Sequence, residues 1–258
     1  MMRRLAEPAE GPSVHVLPGL EAMSWLAAHA FTDLSKKLVE ENGAFSAAIS
    51  GGATPRRLYE LLGSEQYSGE IPWEKVHIFW TDERCVPPGS PDSNYGSARG
   101  LMLSRVPIPD GNVHRIKGEE KPEEAALMYE DEIRRFFGRS AMPVFDLVIL
   151  GVGEDGHTAS LFPGSDALGE MERLAVPVYA ERLKSRRVTL TLPAINNADR
   201  VLFMVAGEAK AEAVHRVIDG VYGDPHYPAS LVHPVHGKLF WFIDEPAASK
   251  LKGARPQP

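Results

Sequence analysis

Apolar residues along the 258-residue chain fall into two alternating kinds of run. Short, nearly continuous runs occur at VHVL (14–17), FSAAIS (45–50), VHIFWT (76–81), FDLVIL (145–150), RVTLTL (187–192), VLFMVA (201–206) and KLFWFI (238–243). Their length and their β-branched and aromatic content predict buried strands. Between most of them the spacing becomes helical. From Glu21 to Glu41 one face carries Trp25, Leu26, Ala30, Leu34 and Leu38. TPRRLYELLG predicts a helix with Thr54 as N-cap, Pro55 at the first helical position and Gly63 as stop. KPEEAALMYEDEIRRFFG sets Pro122 inside a first turn and ends at Gly138, and GEAKAEAVHRVIDG predicts a helix from about Glu208 to Asp219.

Strands alternating with helices predict an α/β fold: an open, mainly parallel Rossmann-like sheet with helices on both faces. No internal repeat or low-complexity linker divides the chain, so residues 1–258 read as one domain, with about 248–258 as a flexible tail. CVPPGSPDS (85–93) reads as a proline-rich loop. Ligands of such sheets gather beyond the carboxyl ends of the strands, which points to the loops after Ser50, Thr81, Leu150 and Ala206.

Composition narrows the function. A formal net charge of -7 disfavours nucleic acid and membrane surfaces as partners, so an anionic ligand would depend on a few local cations. The single cysteine, Cys85, permits neither an internal disulfide nor a cysteine metal cluster. The N-terminus has no apolar signal core, and the longest apolar runs are too short to cross a bilayer. A soluble, cytoplasmic protein is expected.

LGVGEDGHTASLFPG (150–164) spells G-x-G-x-x-G after a strand, the pattern of a dinucleotide turn. Three features speak against that ligand. Only His157–Phe162 could be helical before Pro163-Gly164, the turn carries Glu154 and Asp155 where a pyrophosphate would lie, and the strand comes late in the chain. What remains is a loop presenting Asp155 and His157 at a strand end. There a histidine can act as general base and a neighbouring carboxylate can fix its tautomer. The plainer alternative is a histidine capping a short helix.

SGGATPRRLYELL brings a strand end, Ser50, to Gly51 and Gly52, which let backbone approach a ligand, and to a helix start at Thr54. A helix N-terminus suits a phosphate, but the lysine of a P-loop is missing. A plain tight turn fits that stretch equally well. FWTDERCVPP places Asp82 and Arg84 at another strand end, for sugar hydroxyls and an anion respectively, or as a solvated rim. Lys210 sits in a first helical turn, where the helix dipole disfavours a cation unless it faces an anion. SRRVTLTLPAINNA offers Arg186, Arg187 and Asn196, with one arginine pointing inward. No G-x-S-x-G elbow is present. His226, His233 and His236 lack H-E-x-x-H and an adjacent acidic ligand, so no metal is expected.

Taken together, SGGATP, WTDERCVPPGSPDSNY, LGVGEDGHTASLFPG, RVTLTLPAINNA and GEAKA resemble the 6-phosphogluconolactonases of the pentose phosphate pathway, in family order from about Val14 to Ile243. The resemblance implies a fold shared with glucosamine-6-phosphate deaminases and hydrolysis of 6-phospho-D-glucono-1,5-lactone to 6-phosphogluconate without metal or organic cofactor. It implies His157 as base, Asp155 orienting it, and Ser50, Gly51, Gly52, Thr54, Asp82, Arg84, Arg187 and Lys210 binding the substrate. The implied partner is a small phosphorylated sugar lactone, handled by a monomer or small homo-oligomer. Two alternatives are an amino-sugar-6-phosphate deaminase/isomerase and a non-catalytic sugar-phosphate sensor. Against the first, that branch carries a carboxylate five positions after the histidine, where this chain has Phe162.

Overall fold

A computed structural model describes residues 12–138 and 142–252. Seven strands form one parallel sheet: β1 (Ser13–Leu17), β2 (Phe45–Ile49), β3 (Val76–Trp80), β5 (Val113–His114), β6 (Leu147–Leu150), β9 (Arg200–Val205) and β10 (Lys238–Asp244). Their order is β1-β10-β9-β6-β2-β3-β5. Every residue of β2 and β6 is buried, so both faces of the sheet are covered. The chain leaves β2 toward β3 and β5, then returns on the other side through β6, β9 and β10. The sheet therefore reverses direction between β2 and β6, and in such folds the crevice above that point takes the ligand.

Helix α1 (Leu20–Asn42) ends at Gly43, whose φ of 82° is the left-handed geometry that lets its N–H reach the Val39 carbonyl. Its buried stripe is Met23, Ala27, Ala28, Phe31 and Leu38. Of the face expected from sequence, only Leu38 is fully buried and Ala30 is exposed. Ser24, Thr32 and Ser35 obscured the stripe: each donates its hydroxyl to a carbonyl one turn back, so a polar residue can be buried there. Helix α2 (Arg56–Leu62) begins later than expected. Thr54 does not cap it; Pro55 holds the cap position, with Ala53–Arg56 closing a turn before the helix. Helix α5 (Pro122–Phe137) matches its sequence signals, and helix α7 (Ala211–Ile218) is led in by a 3₁₀ turn, Glu208–Lys210.

A second, antiparallel sheet was not foreseen. It joins β4 (Asp82–Arg84), β8 (Ser185–Leu190) and β7 (Ala175–Ala180) in the order β4-β8-β7. The run expected as a strand over 187–192 thus starts earlier, and its end turns into helix α6 (Leu192–Asn196), which Pro193 opens. Helix α4 (Asn94–Leu101) follows the proline-rich loop and is capped by the Ser93 hydroxyl, which accepts from Gly96 N–H. The tail also needs correction. Glu245–Ala248 is helical, Ala248 is buried, and Lys250 pairs with Glu212 at 2.9 Å, so the chain is held through that stretch. Residues 253–258 of the expected tail lie outside the described residues. Among the described residues no helix is long and apolar enough to cross a membrane.

Candidate active site

Above the β2/β6 reversal lies a cavity of about 230 Å³. Nine of the ten residues singled out from sequence line it: Ser50, Gly51, Gly52, Thr54, Asp82, Arg84, His157, Arg187 and Lys210. Asp155, the tenth, stands behind His157 and lines an adjoining cleft of about 730 Å³ that also reaches His157 and Lys210.

The loop after β6 is built to hold one imidazole. The Gly153 N–H donates to the His157 carbonyl at 2.8 Å, and the Gly156 N–H to the Gly153 carbonyl at 3.0 Å. A Cβ on Gly153 would stand 2.0 Å from His157 Nδ1, so only glycine admits the ring. Gly156 has a φ of 78° and would press a Cβ to 2.6 Å from the Tyr227 ring, while the Ala229 N–H donates to the Gly156 carbonyl at 2.9 Å. The loop is thus clamped by a segment some seventy residues later. His157–Phe162 is not helical: Thr158 and Leu161 form an isolated bridge across Ala159, whose φ is 48°.

His157 Nδ1 lies 2.5 Å from Asp155 Oδ1, which also accepts the His157 backbone N–H at 3.2 Å. The hydrogen bond from His157 holds the Asp155 carboxyl down at about 2, against the opposing pull of partial burial. An ionised carboxylate only accepts, so Nδ1 carries the proton, and the lone pair of a neutral ring lies on Nε2. Phe162 packs against the imidazole with ring centroids 4.6 Å apart.

The facing wall is cationic. Arg84 and Arg187 are register partners across β4 and β8, like charges directly opposite, an arrangement that destabilises a sheet unless something offsets it. Nε of each is buried, with no partner among the described residues. Arg187 is 7% exposed, and burial lowers its basicity. Arg186 on the same strand is exposed, which settles which arginine points inward. Arg84 spends one nitrogen on the Asp92 carbonyl at 2.7 Å. Lys210 has only a long pairing, 3.9 Å, to the exposed Glu154.

Other polar groups shape the wall. The Ser50 hydroxyl donates to the Ile149 carbonyl at 2.6 Å, so Ser50 forms floor rather than free donor. Asn94, which sequence reasoning missed, donates to the Asp82 carbonyl at 2.9 Å and lies where a Cβ on Gly51 would come within 1.7 Å. Buried Glu83 gathers the N–H groups of Arg84, Asn94 and Tyr95 and the Ser93 hydroxyl, fixing α4 against β4. Ser160, also missed, is fully buried between Asp82 and Arg187. Asn196 is structural: it accepts from His233 N–H and donates to the Leu231 carbonyl.

The histidines considered for a metal are engaged separately: His226 with Asp224 at 2.7 Å, and His233 Nε2 with the Ser230 carbonyl at 2.7 Å. Among the described residues no group of three or more His, Cys, Asp or Glu side chains is placed to hold a metal ion.

A family model described as glucosamine-6-phosphate isomerases/6-phosphogluconolactonase matches residues 19–241. The chain belongs to that family. Its relatives in the glucosamine-6-phosphate isomerase/6-phosphogluconolactonase family include a 6-phosphogluconolactonase of Synechocystis, 39% identical over 93% of this chain and 99% of that one. A human 6-phosphogluconolactonase is 42% identical over 80% of this chain and 81% of its own. The crystal structure of 6-phosphogluconolactonase from Thermotoga maritima superposes with a TM-score of 0.78 at 31% identity, covering 91% of this chain and all of that one.

Proposed function

We propose that this protein is an enzyme that hydrolyses 6-phospho-D-glucono-1,5-lactone to 6-phospho-D-gluconate in the oxidative pentose phosphate pathway. The observation that carries the reading is one cavity with His157, backed by Asp155, on one wall and the opposed Arg84 and Arg187 on the other. The relatives' names point to the same reaction.

In this mechanism the phosphate rests against Arg84, Arg187 and Lys210 and the backbone of Gly51, Gly52 and Thr54, which fixes the sugar ring. Asp82 meets the ring hydroxyls. Nε2 of His157 takes a proton from water as the water oxygen bonds to C1, and the carbonyl electrons move onto oxygen. As the carbonyl re-forms, the bond from C1 to the ring oxygen breaks, and the imidazolium returns its proton to that oxygen. Asp155 keeps Nδ1 protonated and offsets the charge His157 carries between the two transfers. A δ-lactone is a reactive ester, so no covalent nucleophile is required, and the chemistry asks for no metal or organic cofactor. Base catalysis of this kind contributes about 10²–10⁴-fold.

An amino-sugar phosphate deaminase is the second reading, since the family covers isomerases too. Phe162 disfavours it: an apolar ring packed on His157 occupies the place where the resemblance to that branch calls for a carboxylate. The same pocket could serve a sensor, but a tautomer-fixed histidine has no use there. We place the reaction in the cytoplasm, in keeping with a lone cysteine, with the chain working as one domain and as a monomer or small homo-oligomer. The test is acid release from freshly made lactone, with glucosamine 6-phosphate assayed beside it. Turnover of the lactone alone is expected; ammonia release from the amino sugar overturns the reading.

A further inference from the structure

Three buried side chains meet behind the cavity wall. Ser160 is 0% exposed, Asp82 4% and Arg187 7%. The Ser160 hydroxyl donates to Asp82 Oδ2 at 2.6 Å, and Arg187 Nη1 approaches the same hydroxyl oxygen at 3.4 Å. Arg187 Nη1 stands 3.8 Å from Asp82 Oδ2, beyond hydrogen-bond reach, and its Nε has no partner among the described residues. A guanidinium and a carboxylate this close, both out of water, ordinarily lock into a two-pronged pair. Here they do not, and the serine hydroxyl touches both of them.

We propose that Ser160 is a positioning residue that keeps Asp82 from capturing Arg187, so that the guanidinium is left for the substrate's anionic group. The inference rests on the reading of the cavity as a sugar-phosphate site. The hydroxyl donates to the same Asp82 oxygen that stands nearest Arg187, so that oxygen is satisfied without the guanidinium. The backbone fixes the hydroxyl in place: Ser160 N–H donates to Thr189 Oγ1 at 3.2 Å, and Thr189 is two residues from Arg187 on β8. Phe162 lies under the guanidinium, its ring centroid 5.6 Å from Cζ, and attracts it without taking up a donor. Without the hydroxyl, Asp82 and Arg187 would close on each other and the wall would lose the use of one cation.

The test measures inorganic phosphate binding by calorimetry, alongside lactone kinetics, in wild type, Ser160→Ala, Asp82→Asn and the double variant. Ser160→Ala is expected to weaken inorganic phosphate about tenfold, the lower end for a charged hydrogen bond, and to raise KM for the lactone in step while kcat moves less than about twofold. Removing the competing carboxylate should undo the loss, so the double variant binds phosphate within about twofold of Asp82→Asn. Should Ser160→Ala fail to fold, Ser160→Cys, whose thiol is a weak donor of similar size, replaces it in the same comparisons, and a double variant markedly weaker than Asp82→Asn overturns the proposal. Phosphate affinity unchanged in a folded Ser160→Ala overturns it too while leaving lactone hydrolysis standing. A wild type that neither binds phosphate nor turns over lactone removes the functional reading, and this inference with it.

Discussion

The two walls of the cavity differ in how complete they are. On the His157 side, the polar groups close on one another: imidazole on Asp155, Gly153 on the His157 carbonyl, Ala229 on the Gly156 carbonyl. On the arginine side, two buried Nε donors have no acceptor and two guanidinium groups face each other across paired strands. Buried donors left unpaired cost free energy, so they persist where a ligand supplies the partner. On the proposed mechanism, proton transfer is built in before substrate arrives, while the arginine wall is finished by the substrate's own charge.

The largest expected effect falls on the finished wall. His157→Ala should lower kcat by about 10²–10⁴-fold and leave inorganic phosphate inhibition nearly as it was. Near wild-type turnover in that variant breaks the assignment of the base. Next comes the unfinished wall. Lys210→Ala should cost about 1.5–3 kcal/mol, read mainly in KM for the phosphorylated lactone and hardly at all for unphosphorylated gluconolactone. Equal losses on both substrates would move Lys210 to the reacting carbonyl and erase the contrast between the walls.

A smaller effect sharpens the comparison from within the Asp155–His157 pair. Because the His157 hydrogen bond holds Asp155 at about 2, the stabilisation from that pairing is complete above the ordinary carboxylate range, declines below it and is gone once pH has fallen through about 2. A carboxyl-carbon NMR titration should find that midpoint in the wild type and return it upward, toward about 3.9, in His157→Ala. A wild-type midpoint already near the ordinary value would show the wall to be less finished than drawn. The smallest expected effect is none: exhaustive chelation should leave lactone hydrolysis intact, and activity restored only by added Zn²⁺ or Mg²⁺ would bring a metal back into the account.

Sequence patterns carried the parallel sheet and the loops that line the cavity well, because both are written locally. FSAAIS followed by GGATP, and DLVIL followed by GVGEDGH, announce a buried strand and the special turn after it. The antiparallel sheet was not legible for a physical reason. β4 is Asp-Glu-Arg, with no apolar alternation, and its place depends on pairing with a strand about a hundred residues away. Ser160 was equally silent. Nothing inside TASLF marks it, and its contacts exist only once Asp82 and Arg187 arrive from other parts of the fold. Asn94 was missed likewise, since nothing local says that Gly51 leaves room for it.

Gly51, Gly153 and Gly156 together set a limit on how this protein can diverge. A single added methyl would overlap Asn94 at the first, His157 at the second and Tyr227 at the third. A cation on the binding wall can be exchanged with the architecture left standing, so drift there trades one ligand for another. At these three positions the tolerated alphabet shrinks toward one letter, although none of them moves a proton. In a saturation-mutagenesis map the most intolerant columns would then include residues with no side chain, and the shape of the site would be inherited through what is missing from it.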